Sequence, residues 1–109
     1  MAQANSAQTA LDMLILTLLS RRGPAHGYGL ANAIQALSAE ALRVDEGSLY
    51  PALHRMEETG WIAAAWTVTG NKRRARVYHI TRSGTKHLAV ERARWTNFAG
   101  GVARILRHA

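Results

Sequence analysis

Apolar positions along the chain follow a helical period in four stretches and a strand-like pattern in two, a short one between the second and third helices and a hairpin after the third. Leu11, Leu14, Ile15, Leu18 and Leu19 fall at i, i+3, i+4, i+7 and i+8, which predicts a helix from Thr9 to Ser20. Thr9 is its expected cap, with Asp12 three residues on as an imperfect capping box. Arg21 and Arg22 suit the negative end of its dipole, and Gly23-Pro24 ends it. Residues 1–8 are small and polar with no apolar period, and are expected to form a disordered arm. A second helix is expected from Tyr28 to Leu37, with Leu30, Ile34 and Leu37 inward and Gly27 at its entrance. Leu42 and Val44 alternate within Glu40–Asp45, a stretch too short for a helix, which suggests a short edge strand.

A third helix ends at Thr59-Gly60, where Gly60 can take the left-handed cap. Proline fits best in a first helical turn, so Pro51 favours Ser48 over Asp45 as the cap of this helix. Leu49, Leu53 and Met56 form its inward stripe. Gly47, Ser48, Tyr50, Pro51, His54, Arg55 and Glu58 fall on the other face or its flanks. The period then changes. Trp61–Thr69 and Arg76–Ile80 read as strands, joined by Gly70-Asn71-Lys72-Arg73-Arg74-Ala75 as a hairpin with a long basic tip. A last helix, from near Thr81 to Arg107, would be about 40 Å long.

That helix is too long for so small a domain to cover. Leu88, Trp95, Phe98, Val102 and Ile105 or Leu106 lie 7, 3, 4 and 3 or 4 residues apart, close to a heptad seam. An apolar seam that overhangs its own domain needs a partner, and a second copy of the chain is the simplest one. Three helices, a hairpin and a trailing helix make an α+β, mostly helical fold: a winged helix-turn-helix domain over residues 9–81 and a long dimerisation helix over 82–109. In this order of elements the third helix can enter the major groove of DNA while the second braces it from the phosphate side. The hairpin tip carries Lys72, Arg73, Arg74 and Arg76, four cations in five residues, suited to the backbone or the minor groove.

Charge strengthens this picture. The chain has 109 residues, with 14 Lys+Arg against 7 Asp+Glu and a net charge of +7. Residues 1–69 sum to −2 and residues 70–109 to +9. Clustered cations of this kind are the footprint of a polyanion binder, although a solvated basic surface also gives them. The length fits one domain. With no cysteine, disulfides, Cys-ligated zinc, iron–sulfur clusters and thiol nucleophiles are excluded.

Other chemistry is poorly served. The run Leu11–Leu19 is interrupted by Asp12 and Thr17 and is far short of the ~20 residues of a membrane helix. No Lys or Arg precedes Arg21, so no secretory basic region is seen, and a soluble cytoplasmic protein is expected. Asp45-Glu46 and Glu57-Glu58 are adjacent pairs that point apart and cannot face one substrate together. His26, His54, His79, His87 and His108 show neither an HExxH motif nor an i,i+4 pair, so no metal is expected. No cofactor and no catalysis are predicted.

The stretches LILTLLSRRGPAHGYGLANAI, GSLYPALHRMEETGWI and RRARVYHITRSG closely resemble the PadR family of bacterial transcriptional regulators, over about residues 10–88. The resemblance implies a homodimeric repressor on a palindromic operator, of the compact subgroup with a single carboxy-terminal helix. It places residues matching Tyr28, Ser48, Tyr50, Pro51 and His54 near double-stranded DNA, and makes Lys72–Arg76 the wing. It also implies that Trp95 is a candidate to stack on a flat aromatic effector in a cavity between subunits.

Each residue also has a plainer role. Tyr50 would serve as a core aromatic beside Leu49 and Leu53, Ser48 as a cap and His54 as a solvated surface residue. Arg55, a further DNA candidate, would instead pair with Glu58 or Glu91. Trp95 would be seam packing with Leu88, Phe98, Val102, Ile105 and Leu106, and Gly100-Gly101 just beyond it suits a kink, a close helix approach or a cavity. The rival class is a winged-helix module that docks on protein or structured RNA without choosing an operator.

Overall fold

The computed structural model describes residues 7–109. The elements run α1 (Ala7–Arg22), β1 (Ala25–His26), α2 (Gly27–Leu37), α3 (Glu46–Thr59), β2 (Ile62–Val68), β3 (Arg74–Ile80) and α4 (Arg82–His108). The three strands form one antiparallel sheet in the order β1-β3-β2. The winged helix and the long last helix are as the pattern predicts.

Helix α1 is the centre of the core, because its apolar surface is wider than the predicted stripe. Met13 and Leu16 are buried along with Ile15, Leu18 and Leu19. Leu30 and Ile34 of α2, Leu49, Leu53 and Met56 of α3, Ile62 and Tyr78 of the sheet and Leu88 of α4 complete the core. Burying an aliphatic side chain contributes ~1.5–3 kcal/mol, so this cluster is the main source of stability. The helix begins at Ala7, so Ala7 and Gln8 are helical and Thr9 lies inside rather than at the cap. The rest of the expected arm lies outside the described residues.

Three local expectations are corrected. Glu40–Asp45 is not a strand. Ala39 and Glu40 take left-handed φ values of 53° and 66°, the Glu40 N–H donates to the Gln35 carbonyl, and the chain continues as coil with Leu42 exposed. The edge strand is instead the two-residue β1, where Ala25 faces Tyr78 and His26 faces Val77. Leu37, expected inward, is 62% exposed at the last position of α2.

The third correction concerns α3. Its cap is Asp45, whose Oδ1 accepts from the Ser48 N–H at 2.8 Å. Pro51 therefore sits in the second turn. It lacks the N–H that would meet the Gly47 carbonyl, but Gly47 lies on an exposed face where water can reach that oxygen. The charged Asp45 cap at the positive end of the helix offsets part of the cost of that one missing bond. At the other end Gly60 takes the predicted left-handed cap, with φ 91°.

Candidate nucleic-acid interface

The register of the hairpin decides what its two faces carry. Ile62 pairs with Ile80, Ala64 with Tyr78, Trp66 with Arg76 and Val68 with Arg74. Since side chains alternate across a strand, these eight share one face. Near the domain this face is apolar, with Ile62 and Tyr78 buried. Toward the tip it becomes Trp66, Val68, Arg74 and Arg76, with Trp66 57% exposed. The Arg74 guanidinium carbon lies 4.6 Å from the Trp66 ring centroid and that of Arg76 lies 5.6 Å away. The ring thus holds two cations in place.

The tip itself is an ordered turn. The Thr69 N–H donates to the Arg73 carbonyl at 2.8 Å, the Lys72 N–H donates to the Thr69 carbonyl at 2.9 Å, and Lys72 takes a left-handed φ of 65°. Lys72, Arg73 and Arg74 are all exposed.

A second polar surface forms where α2 begins and α3 turns outward. Gly27 permits it: a Cβ there would stand 2.9 Å from Tyr50 Cε1, so a larger residue would push the Tyr50 ring aside from the start of α2. Tyr28, one residue on, is 66% exposed and its ring stacks on His26 with centroids 6.1 Å apart. Ser48, Tyr50, Pro51 and His54 are exposed on α3. His54 Nε2 lies 3.6 Å from Glu58 Oε1, a contact between two exposed side chains that leaves the imidazole accessible.

Two arginines from the candidate set are drawn elsewhere. Arg55 pairs with neither Glu58 nor Glu91. Its guanidinium turns inward and donates to both oxygens of Asp12 on α1, at 2.8 and 2.7 Å. Turned to present its oxygen, the Gln8 amide accepts from Arg55 Nε at 2.9 Å. The Asp12 hydrogen bonds raise the Arg55 pKa above its ordinary value, against an opposing effect of burial. Arg76 donates to Glu57 Oε2 of α3 at 2.6 Å. Sequence spacing could not reveal the Asp12 partner, and the six-residue tip expected from the sequence would set Trp66 opposite His79; the strand in fact begins at Arg74, which brings Arg76 opposite Trp66.

Helix α4 has two halves. Its root is joined to the α3–β2 junction: the Thr81 side chain accepts from the Gly84 N–H at 3.0 Å, and the Thr81 N–H donates to the Trp61 carbonyl at 3.0 Å. The Trp61 and His87 rings stack with centroids 3.6 Å apart. Leu88 and Glu91 are buried, Glu91 with Arg94 at 3.1 Å and His87 at 3.9 Å. Beyond them Trp95, Phe98, Val102, Ile105 and Leu106 form an apolar stripe, exposed between 38% and 79%. Trp95 and Phe98 lie 5.9 Å apart. A cleft of about 670 Å³ lies between α1 and the start of α3, lined by Leu11, Leu14, Val44 and Pro51 among others and by no wing residue. Among the described residues no group of acids and histidines could hold a metal ion, and no helix is long and apolar enough to cross a membrane.

Residues 15–90 match the Transcriptional regulator PadR-like family. The chain belongs to that family. PadR-like proteins are transcriptional regulators, not enzymes. A curated transcriptional regulator of Mycobacterium tuberculosis, Rv3488, is 40% identical over 67 residues, which are 62% of this chain and 59% of the relative. The match thus spans about three fifths of the relative's length. Among solved structures, a PadR family transcriptional regulator from Eggerthella lenta is 30% identical with a TM-score of 0.75, covering 94% of this chain and 86% of that one. A transcriptional regulator from Clostridium thermocellum is 28% identical with a TM-score of 0.77, covering 85% and 89%. In this PadR-like chain, the matched segment runs from the core helix through the wing to the root of α4.

Proposed function

We propose that the chain is a sequence-specific, DNA-binding repressor that acts as a homodimer on a palindromic operator. The observation that carries this reading is the pairing of an exposed α3 face with a wing whose tip presents Lys72, Arg73 and Arg74. Ser48, Tyr50, Pro51 and His54 meet base edges and phosphates in the major groove, with Tyr28 at the flank. The wing cations lie along the backbone. Two copies meet through the bare stripe of α4, and that pairing fixes the spacing of the two α3 helices. Trp95, beside Phe98, stacks on a flat aromatic effector at this seam, and the effector relieves binding.

The test is selection of bound duplexes from a random library with the full chain. A palindromic winner that outcompetes random DNA supports the reading. Equal binding to all duplexes favours instead a module for protein or structured RNA. The effector is tested by Trp fluorescence across a panel of planar cationic and phenolic compounds, and an unchanged signal throughout overturns its role.

A further inference from the structure

Glu57 is an acid on α3, beside the most basic part of the chain. A surface built only to attract phosphates would have no use for it. Its carboxylate reaches across to the wing and receives Arg76 Nη2 at 2.6 Å. Both side chains are about one-third exposed, 29% for Glu57 and 36% for Arg76. Their surroundings make this contact more than a surface ion pair. Arg76 lies between two aromatic rings, with its guanidinium carbon 5.6 Å from the Trp66 centroid and 5.7 Å from that of Tyr78. Its Nε is buried without a hydrogen-bond partner among the described residues, so the group is enclosed on the wing side and has its outlet at Glu57. On the backbone of the same residue, the Arg76 carbonyl accepts from His26 Nδ1 at 3.1 Å, which ties this point of β3 to the start of α2.

We infer that Glu57 and Arg76 form a strut that sets the angle between the wing and α3, so that Glu57 is a positioning residue for operator recognition and Arg76 is not a phosphate contact. The inference rests on the DNA-binding reading above. Phosphate contacts fix register and base contacts choose sequence, so specificity needs both surfaces at one fixed separation. A wing free to swing still attracts DNA but no longer holds α3 in register.

Charge and position give opposite signs for one variant, and this makes the test decisive. Glu57→Gln removes a negative charge near the phosphates and releases Arg76. Electrostatics alone then predicts tighter binding to every duplex. The strut predicts that affinity for the selected operator falls by about tenfold, on the scale of one charge-assisted hydrogen bond, while affinity for random duplex holds or rises. Binding of both as tight as wild type, or tighter, overturns the positioning role.

A second measurement needs no DNA. The chain has no cysteine, so spin labels can be placed uniquely at Gly70→Cys on the wing and Glu58→Cys on α3. Labelled chain is diluted with unlabelled chain so that only distances within one subunit are read. Expected is a narrow distance distribution that broadens on adding Glu57→Gln or Arg76→Gln, with thermal melting confirming that each variant is folded. A distribution that stays narrow in both variants overturns the strut whatever the DNA result. If it broadens while the unmodified chain selects no duplex, the strut holds and the DNA-binding reading fails.

Discussion

Asp12 and Arg55, 43 residues apart in sequence, close a two-pronged ion pair between α1 and α3, with N–O distances of 2.8 and 2.7 Å. Asp12 is buried in the face of α1 that holds the core, and Arg55 reaches it from the flank of α3. The helix that carries the candidate base contacts is thereby fixed to the centre of the domain. Breaking one side leaves a buried charge or donor unmatched. Asp12→Asn is expected to cost about 1–3 kcal/mol, at the lower end for buried pairs because Arg55 keeps some solvent. For a domain of this size that lowers Tm by roughly 4–8 °C per kcal/mol. Asp12→Leu combined with Arg55→Met recovers much of the stability, since a half-broken pair is worse than none. Melting at fixed chain concentration checks both.

Glycine substitutions in α4 separate two environments on one helix. Alanine is favoured over glycine in a helix by ~1 kcal/mol. At Gly84 a Cβ would stand 2.0 Å from the Trp61 carbonyl oxygen, which already accepts from Thr81. Gly84→Ala is therefore expected to destabilise by about 1–3 kcal/mol, the usual range for overpacking. At Gly100 a Cβ meets nothing within 4 Å. Gly100→Ala is expected to raise stability by about 0.5–1 kcal/mol. A melting point lowered by Gly100→Ala would mean that a second chain approaches this point closely.

Neutralising the wing and altering α3 are expected to have different signatures. Lys72→Ala with Arg73→Ala weakens binding to every duplex and flattens the slope of log K against log salt by roughly one for each phosphate no longer neutralised. His54→Ala leaves the slope nearly unchanged and shifts which operator is preferred. Anisotropy titrations at several salt concentrations distinguish them. An unchanged slope in the wing variant removes the wing from the interface.

The α4 stripe is tested by charge. Phe98→Asp with Val102→Asp places two carboxylates on the exposed apolar surface while leaving the buried root at Leu88 intact. Sedimentation is expected to show a single chain, folded by circular dichroism. A variant that still sediments as a dimer would move the self-association surface elsewhere.

Tyr78 gives the fold an alkaline limit. Burial raises its pKa above the ordinary tyrosine value, with Arg76 opposing and Glu57 adding to the effect. The folded chain thus holds the phenolic proton more tightly than the unfolded chain. This contribution to stability is constant below about pH 10 and is lost as pH rises from there toward the folded pKa. Tyr78→Phe is expected to flatten the decline of stability that sets in above about pH 10 in denaturant titrations. An identical decline in the variant would assign it to other groups.

Much of this organisation is legible in the sequence because it rests on periods. The spacing of Leu49, Leu53 and Met56, the change to alternation at Trp61 and the seam beyond Leu88 depend on local geometry alone. Gly60 is legible because few residues tolerate its backbone. What is not legible depends on partners distant in the chain. Asp12 has the spacing of a capping residue, and only the fold of α3 brings Arg55 to it. Leu37 has an apolar side chain at an inward-looking spacing, yet the core ends one turn earlier. The start of α3 is a competition between a carboxylate cap and a proline penalty of similar size, which no pattern decides. In the wing, charge density marks Arg76 as one of four equivalent cations. Only the register shows it facing Trp66, and only the packing shows it facing Glu57.

The Thr81, Gly84 and His87 attachments to Trp61 turn the last helix into a crank. Its shaft is about 40 Å long, and its root is held at both the carbonyl and the ring of Trp61. A swing of ~5° in the shaft moves its far end by roughly 3.5 Å, close to the ~3.4 Å rise of one base pair. If two such shafts pair as proposed, the same gearing would run in reverse: a thin molecule wedged between them would need to tilt them by only a few degrees to shift the two α3 helices by the rise of one base pair.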